Sequence, residues 1–198
     1  MNIVVVSPHL DDGVLSLGAT MNKLVRQGNS LKLVTVFAGD PDNEGPPSVW
    51  DAQRGTKTAA QVAAARRAED AAAGKVLGVE TTWLPFDDHE HLTRRDPDVI
   101  WEALEPHLVN ADRVYLPGWP LMHHDHLYTT MLTLRRLKSD AAISVYCELP
   151  YSVTPVGRLK ALRRGRSVAF LESVVAKDLE WSTEEISDVD SASKLRAL

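Results

Sequence analysis

One cysteine, Cys147, is the whole thiol content of this chain. No disulfide can form within it, so the folded state must rest on packing. Long apolar runs are missing as well. None approaches the roughly 20 residues needed to cross a bilayer, and the first, residues 3–6, is too short for the core of a secretory signal. A cytoplasmic location with no membrane partner is the expectation. Nor is there a basic excess: 22 Lys and Arg stand against 27 Asp and Glu, a formal charge of −5. That balance argues against a nucleic-acid partner. Internal repeats and interdomain linkers are also absent, so residues 1–198 read as a single domain, long enough for a sizeable core.

What the chain does contain is an alternation. Ile3 to Val6 is a short β-branched run, and Pro8 cannot continue a central ladder, so a first strand ends there. A helix follows from about Gly13, with Val14, Leu17, Met21, Leu24 and Val25 on one face, and stops near Gly28. Residues 31–38 predict a second strand, and 39–55, rich in Pro, Gly and acid, a long loop. An Ala-rich helix over 57–77 closes at Gly78, and 79–86 reads as a third strand. After a polar loop over 87–96, Pro97 opens a helix to about Val109. A fourth strand over 113–116 ends at Pro117-Gly118, a helix follows residues 123–126, and 142–147 is a fifth strand. Beyond Pro155 the pattern weakens: a basic run over 158–166, a late strand over 167–176 and a terminal helix are expected. Strands alternating with helices give βαβ units, hence an α/β fold with a largely parallel sheet.

Chemistry concentrates at two points of this pattern. Directly after the first strand come His9, Asp11 and Asp12; after the fourth come His123, His124, Asp125 and His126. In an open α/β sheet both loops lie at the carboxyl edge, where ligands bind. His9 and Asp12 can reach one cation, with Asp11 beside it and free to act separately. One imidazole of the second cluster would complete a His-Asp-His set with open positions, which suits catalytic zinc or another divalent transition metal. The structural alternative makes Asp11 or Asp12 the N-cap of the first helix and Asp125 the cap of the helix beginning at the second cluster, with exposed imidazoles.

These residues carry a resemblance. Pro8-His9-Leu10-Asp11-Asp12 with Ser16 and Gly18, then His123-His124-Asp125-His126, resemble the two motifs of the LmbE-like, or PIG-L, family of zinc-dependent N-acetylglucosaminyl deacetylases. Arg66-x-x-Glu69 before Leu77-Gly78 is similar to the family's central helix, and residues 146–151 to a segment of some members. The resemblance covers roughly residues 1–151. It implies a Rossmann-like three-layer sandwich around a mainly parallel sheet. It also implies Zn²⁺ held by His9, Asp12 and His126, with Asp11 as general base. His123 would stabilise the oxyanion, with Asp125 orienting its ring. Arg66 matches an arginine that contacts sugar hydroxyls. Gly13 and His124 depart from the family pattern, which often has glutamate and usually has proline there; neither is a ligand position.

The implied reaction is removal of an N-acyl group, foremost acetyl, from an amino sugar or its conjugate, so the expected partner is a small molecule. Trp50, Asp87 and Trp119, in loops at the same edge, are further candidates to bind it. Hydrolysis of another small-molecule amide, a non-catalytic metal- or sugar-binding protein, and a phosphoesterase are the competing readings. The last wants a second carboxylate-rich motif that is not evident. His89 and His91 read as a solvated loop, His107 as a favourable charge at a helix end, and Trp83 and Trp101 as core.

Overall fold

The computed structural model describes residues 1–47, 49–53, 55–87, 96–155 and 185–198, and of Trp50 the backbone alone. Five strands, β1 (Asn2–Ser7), β2 (Ser30–Thr35), β3 (Glu80–Trp83), β4 (Arg113–Trp119) and β5 (Ala142–Cys147), form one sheet in the order β3-β2-β1-β4-β5. Every pairing is parallel. From β1 the chain winds to β2 and β3 on one side, then returns to β4 and β5 on the other. The carboxyl ends of β1 and β4 therefore flank the point where the winding reverses, the crevice in which such sheets hold ligands.

Six helices are described: α1 (Asp12–Arg26), α2 (Val49–Ala52), α3 (Ala59–Leu77), α4 (Pro97–Leu108), α5 (His124–Arg136) and α6 (Asp188–Ala197). They cover both faces, as a sheet buried on two sides requires. Alternation along β1 divides the core. Ile3 and Val5 join Val14, Met21, Leu33 and Leu77 under α1 and α3. Val4 and Val6 join Ile100, Leu104, Leu108 and Leu132 under α4 and α5. Side chains buried this fully stabilise by about 1.5–3 kcal/mol each relative to exposure. The three-layer α/β expectation is met. Among the described residues no helix is long and apolar enough to cross a membrane.

Local signals hold in most places. Thr58 caps α3 by accepting from the Gln61 N–H, and Gly78 ends it at φ 73°. Asp96 caps α4, with Pro97 in its first turn. Several expectations change. The 39–55 loop contains the short α2, while α3 starts at Ala59, because Thr58 offers a cap and Lys57 none. β4 runs through Pro117 to Trp119, because the register against β5 shifts between Pro117 and Trp119, where no regular ladder donor is required. Trp101 is core at 8% exposure, but Trp83 is half-buried and donates its indole N–H to Asp70 Oδ2 at 2.8 Å. Burial and then Lys32 lower the pKa of His107, which disfavours the charge expected of it at its helix end. The 158–166 run, the 167–176 strand, His89 and His91 lie outside the described residues. The expected terminal helix is α6, tied to α1 by Arg26 and Asp190 at 2.9 Å.

Close approach of β5 to β4 depends on Gly118. A Cβ there would lie 2.5 Å from Val145 Cβ and 3.2 Å from the Tyr146 carbonyl oxygen. Neither atom is the free end of a flexible chain. Gly118→Ala should cost about 1–3 kcal/mol of unfolding free energy, read by urea denaturation. A change below about 0.5 kcal/mol would show that the strands part freely here.

Candidate metal centre and substrate pocket

The β1–α1 turn is pinned before it presents any chemistry. Ser7 Oγ donates to the His9 carbonyl at 2.5 Å and accepts the Gly13 N–H at 2.9 Å. Space at Gly13 is tight: a Cβ would sit 2.7 Å from Leu33 Cδ1, the free end of a side chain, and 3.3 Å from Ser7. Asp11 occupies the N-cap position of α1, yet its side chain makes no capping bond. Asp12, buried, turns Oδ2 toward His9, accepting its backbone N–H at 3.1 Å and standing 2.9 Å from its Nδ1.

The second motif arrives from β4 on α5. His126, 1% exposed, brings Nε2 to 3.0 Å from the same Asp12 Oδ2. Both His126 nitrogens lie near carboxylate oxygens without the alignment of a hydrogen bond. His123 is the true cap of α5, its Nδ1 accepting the Asp125 N–H at 3.3 Å. The ring's proton then sits on Nε2, so a neutral His123 can donate from there. The Asp125 carboxylate, expected to orient His123, is 3.8 Å from His123 Nδ1 and only 2.9 Å from His9 Nε2. It therefore braces His9 more closely than His123. His124 is exposed at the start of the helix.

Nitrogens of His9, His123 and His126 lie within 4.8 Å of one another, and the ring centroids are 4.9, 5.3 and 5.2 Å apart. Electrostatics mark the same spot. Burial opposes protonation of both imidazoles, His9 half-buried and His126 fully so, but Asp12 with Asp125 outweighs it for His9, raised to about 10. Asp12 with Glu148 does so for His126, raised to about 9. Burial also opposes ionisation of Asp12, and the two imidazoles hold its carboxyl far below the usual range. The carboxylates thus favour positive charge at the two imidazoles. Misaligned buried nitrogens and a shared carboxylate oxygen fit a divalent transition cation as their common partner.

Sequence reasoning missed Glu148. It is 2% exposed, stands with Oε1 3.2 Å from His126 Nδ1, and accepts the Leu121 N–H at 3.1 Å through Oε2. It therefore orients the imidazole from the side away from Asp12, as a carboxylate behind a metal-bound histidine does. Its signal was the acid within the 146–151 segment just after β5, with Leu149 N–H held by Ser16 Oγ at 3.1 Å. Tyr151 was missed too: its ring lies edge-on to His126 at 5.9 Å.

A cavity of about 790 Å³ opens over this cluster, lined by His9, Asp11, Asp12, His123 and Tyr151 and by the α3 wall of Arg66, Glu69 and Asp70. The size suits a small organic ligand. Asp11 reaches the cavity, whose walls, with Asp12 beside it, raise its carboxyl above the ordinary range. Arg66 lines the cavity and pairs with Asp51 at 2.8 Å. Asp87 lines it while accepting from Asp40 N and Asn43 Nδ2 at 3.2 and 3.1 Å. Trp119 stands outside the cavity wall, and the side chain of Trp50 lies outside the described residues. Arg67, unremarked in the sequence, bonds the carbonyls of Ala38 and Gly39 and so holds the loop after β2 against α3.

The profile of the PIG-L family, GlcNAc-PI de-N-acetylase, matches residues 4–137. The chain belongs to that family. Among characterised relatives, a 2'-N-acetylparomamine deacetylase of Niallia circulans is 25% identical over 181 residues, covering 74% of this chain and 66% of the relative. The chain thus spans just under two thirds of that protein's length. Among solved structures, the zinc-inhibited form of a teicoplanin deacetylase aligns at a TM-score of 0.70 and 20% identity, over 100% of this chain and 82% of the other. A 4-carboxy-2-hydroxymuconate hydratase of Pseudomonas putida aligns at 0.57 and 20%, over 88% and 82%. These likenesses establish the fold, and the fold alone does not choose between hydrolysis and hydration.

Glu148→Gln should weaken divalent-metal affinity by about 10- to 100-fold, as loss of such a supporting carboxylate does, because the amide still accepts from Leu121 but no longer supports His126 electrostatically. Competition against a chelator measures it. Unchanged affinity would mean that Glu148 only braces the 121 loop.

Proposed function

We propose that this PIG-L family member is a zinc-dependent amide hydrolase that removes the acetyl group from an N-acetylated amino sugar or its conjugate. The observation that carries the reading is the division of labour between neighbouring carboxylates. Asp12 is buried and shared between His9 and His126, while Asp11 makes no cap bond and faces the cavity with a raised pKa. A protein that merely held a metal would have no use for the second acid in that place.

His9, Asp12 and His126 would hold the ion, leaving His123 to face the substrate. When bound, the ion supplies Lewis acidity, lowering the pKa of a water and polarising the acyl oxygen. The remaining work falls to the chain's own groups. Asp11 takes a proton as water oxygen bonds to the acyl carbon, and gives one to the nitrogen as the C–N bond breaks. Acetate and a free amine result. A carboxyl raised toward neutrality suits both halves of that task better than an ordinary one. His123 donates its Nε2 proton toward the acyl oxygen as charge gathers there. Asp125 and Glu148 keep His9 and His126 in place. Arg66, exposed to the cavity but anchored by Asp51, offers further donors to sugar hydroxyls. The acetylated aminoglycoside named for the characterised relative is consistent with a substrate of this class.

Asp11→Asn should lower kcat by about 10²–10⁴ on an N-acetylated sugar while one metal per chain is retained. His126→Ala should lose the metal. Turnover is followed by release of free amine and metal content by elemental analysis. Equal loss of metal in the two variants would overturn the assignment of base and ligand.

A further inference from the structure

The cavity is acidic beyond what the reaction requires. Among its described lining residues Arg66 is the only Lys or Arg, and Asp51 already neutralises it. Asp12 belongs to the imidazole cluster and Asp11 to proton transfer. Glu69, Asp70 and Asp87 remain, and of these Asp87 is occupied with Asp40 and Asn43. Asp70 is the informative one. It lines the cavity yet is only 3% exposed; one oxygen accepts the Trp83 indole N–H, and the other, Oδ1, is buried with no hydrogen-bond partner. An ionised carboxylate buried with a bare oxygen opposes folding, and such groups are retained where a ligand completes them.

We propose that the cavity selects an amino sugar bearing a second, unacetylated amine, whose ammonium group is received at the α3 wall by Asp70 with Glu69. For the reacting end of the substrate this rests on the amide-hydrolase reading above. A hydroxyl could donate to Asp70 but would leave its charge uncompensated; an ammonium satisfies both the lone pair and the charge. Burial, with Asp11 across the cavity and against the Trp83 N–H, raises the Asp70 carboxyl to about 6. It is therefore mostly ionised at neutral pH and ready to meet a cation. Position agrees as well. Glu69 and Asp70 lie one turn beyond Arg66 on the same rigid helix, so hydroxyl and amine donors and acceptors of one sugar ring can be read together.

The test compares N-acetylglucosaminyl-glucosamine with N-acetylglucosaminyl-glucose, which differ by one amine against one hydroxyl, on zinc-loaded protein and on Asp70→Asn. The amine-bearing disaccharide should have a kcat/KM about 10- to 100-fold higher, mostly through KM, as a hydrogen bond to a charged group provides. Asp70→Asn should remove that preference, bringing the two disaccharides to within about two-fold of each other. The asparagine keeps an acceptor for Trp83 and removes a buried charge, so its melting temperature should not fall, separating selectivity from unfolding. Equal rates on both disaccharides with the wild-type protein would overturn the proposal and leave the deacetylase reading standing. Should neither be hydrolysed, the deacetylase reading fails, and calorimetric binding of the two disaccharides decides the pocket: a preference for the amine lost in Asp70→Asn upholds the proposal, and equal affinities overturn it.

Discussion

One oxygen, Asp12 Oδ2, meets both His9 and His126 at 2.9 and 3.0 Å, and most of the structure serves that meeting. The two imidazoles lie more than 100 residues apart in sequence. They converge because β4 returns to pair with β1 rather than adding to the edge beyond β3. Ser7 and Gly13 fix the turn that aims Asp12, and Thr130 Oγ1, donating to the Pro117 carbonyl at 2.6 Å, fixes α5 against the strand that delivers His126. Burying two imidazoles with three carboxylates is costly in isolation. The apolar layers on both faces of β1 stabilise the fold enough to hold them, and a divalent cation bound there would turn the cost into affinity.

Much of this was legible in the sequence, for definable reasons. Ile3–Val6 and the period of Val14, Leu17 and Met21 are local patterns, and a sheet of βαβ units leaves few ways to arrange them. His9, Asp11, Asp12, His123 and His126 stood out because polar residues cluster directly after apolar strands. Glu148, Asp51 and Asp70 did not, because each acquires meaning only from a partner distant in sequence: His126, Arg66 and Trp83. Trp83 read as core because an indole in a strand usually is; its N–H found the one buried carboxylate of α3. On the structural alternative Asp125, the better capping residue type, would cap α5, but Asp125 turns its side chain to His9 and leaves the cap to His123. In that place the contacts among imidazoles and carboxylates override local preference, as candidate functional sites do.

Stability and selectivity meet at the α3 wall. Asp70, Glu69 and Arg66 sit on a helix whose other contacts, Ala73 and Leu77 in the core and Gly74 against Thr81, are tight and apolar. A rigid element lets a buried acid be held slightly out of balance for a ligand to correct. On the proposed reading, the reaction falls to residues at the ends of β1 and β4 and the choice of substrate to residues of α3, so either could vary while the other stays.

The central claim is that one cation takes the place between His9, Asp12 and His126. Diffraction from zinc-loaded crystals at the zinc absorption edge tests it most directly. The account predicts a single anomalous peak about 2.0–2.2 Å from a nitrogen of each of His9 and His126 and from an Asp12 oxygen, with Asp11 and His123 beyond bonding distance. A peak bound by the three imidazoles of His9, His123 and His126, with Asp12 outside the shell, would contradict it.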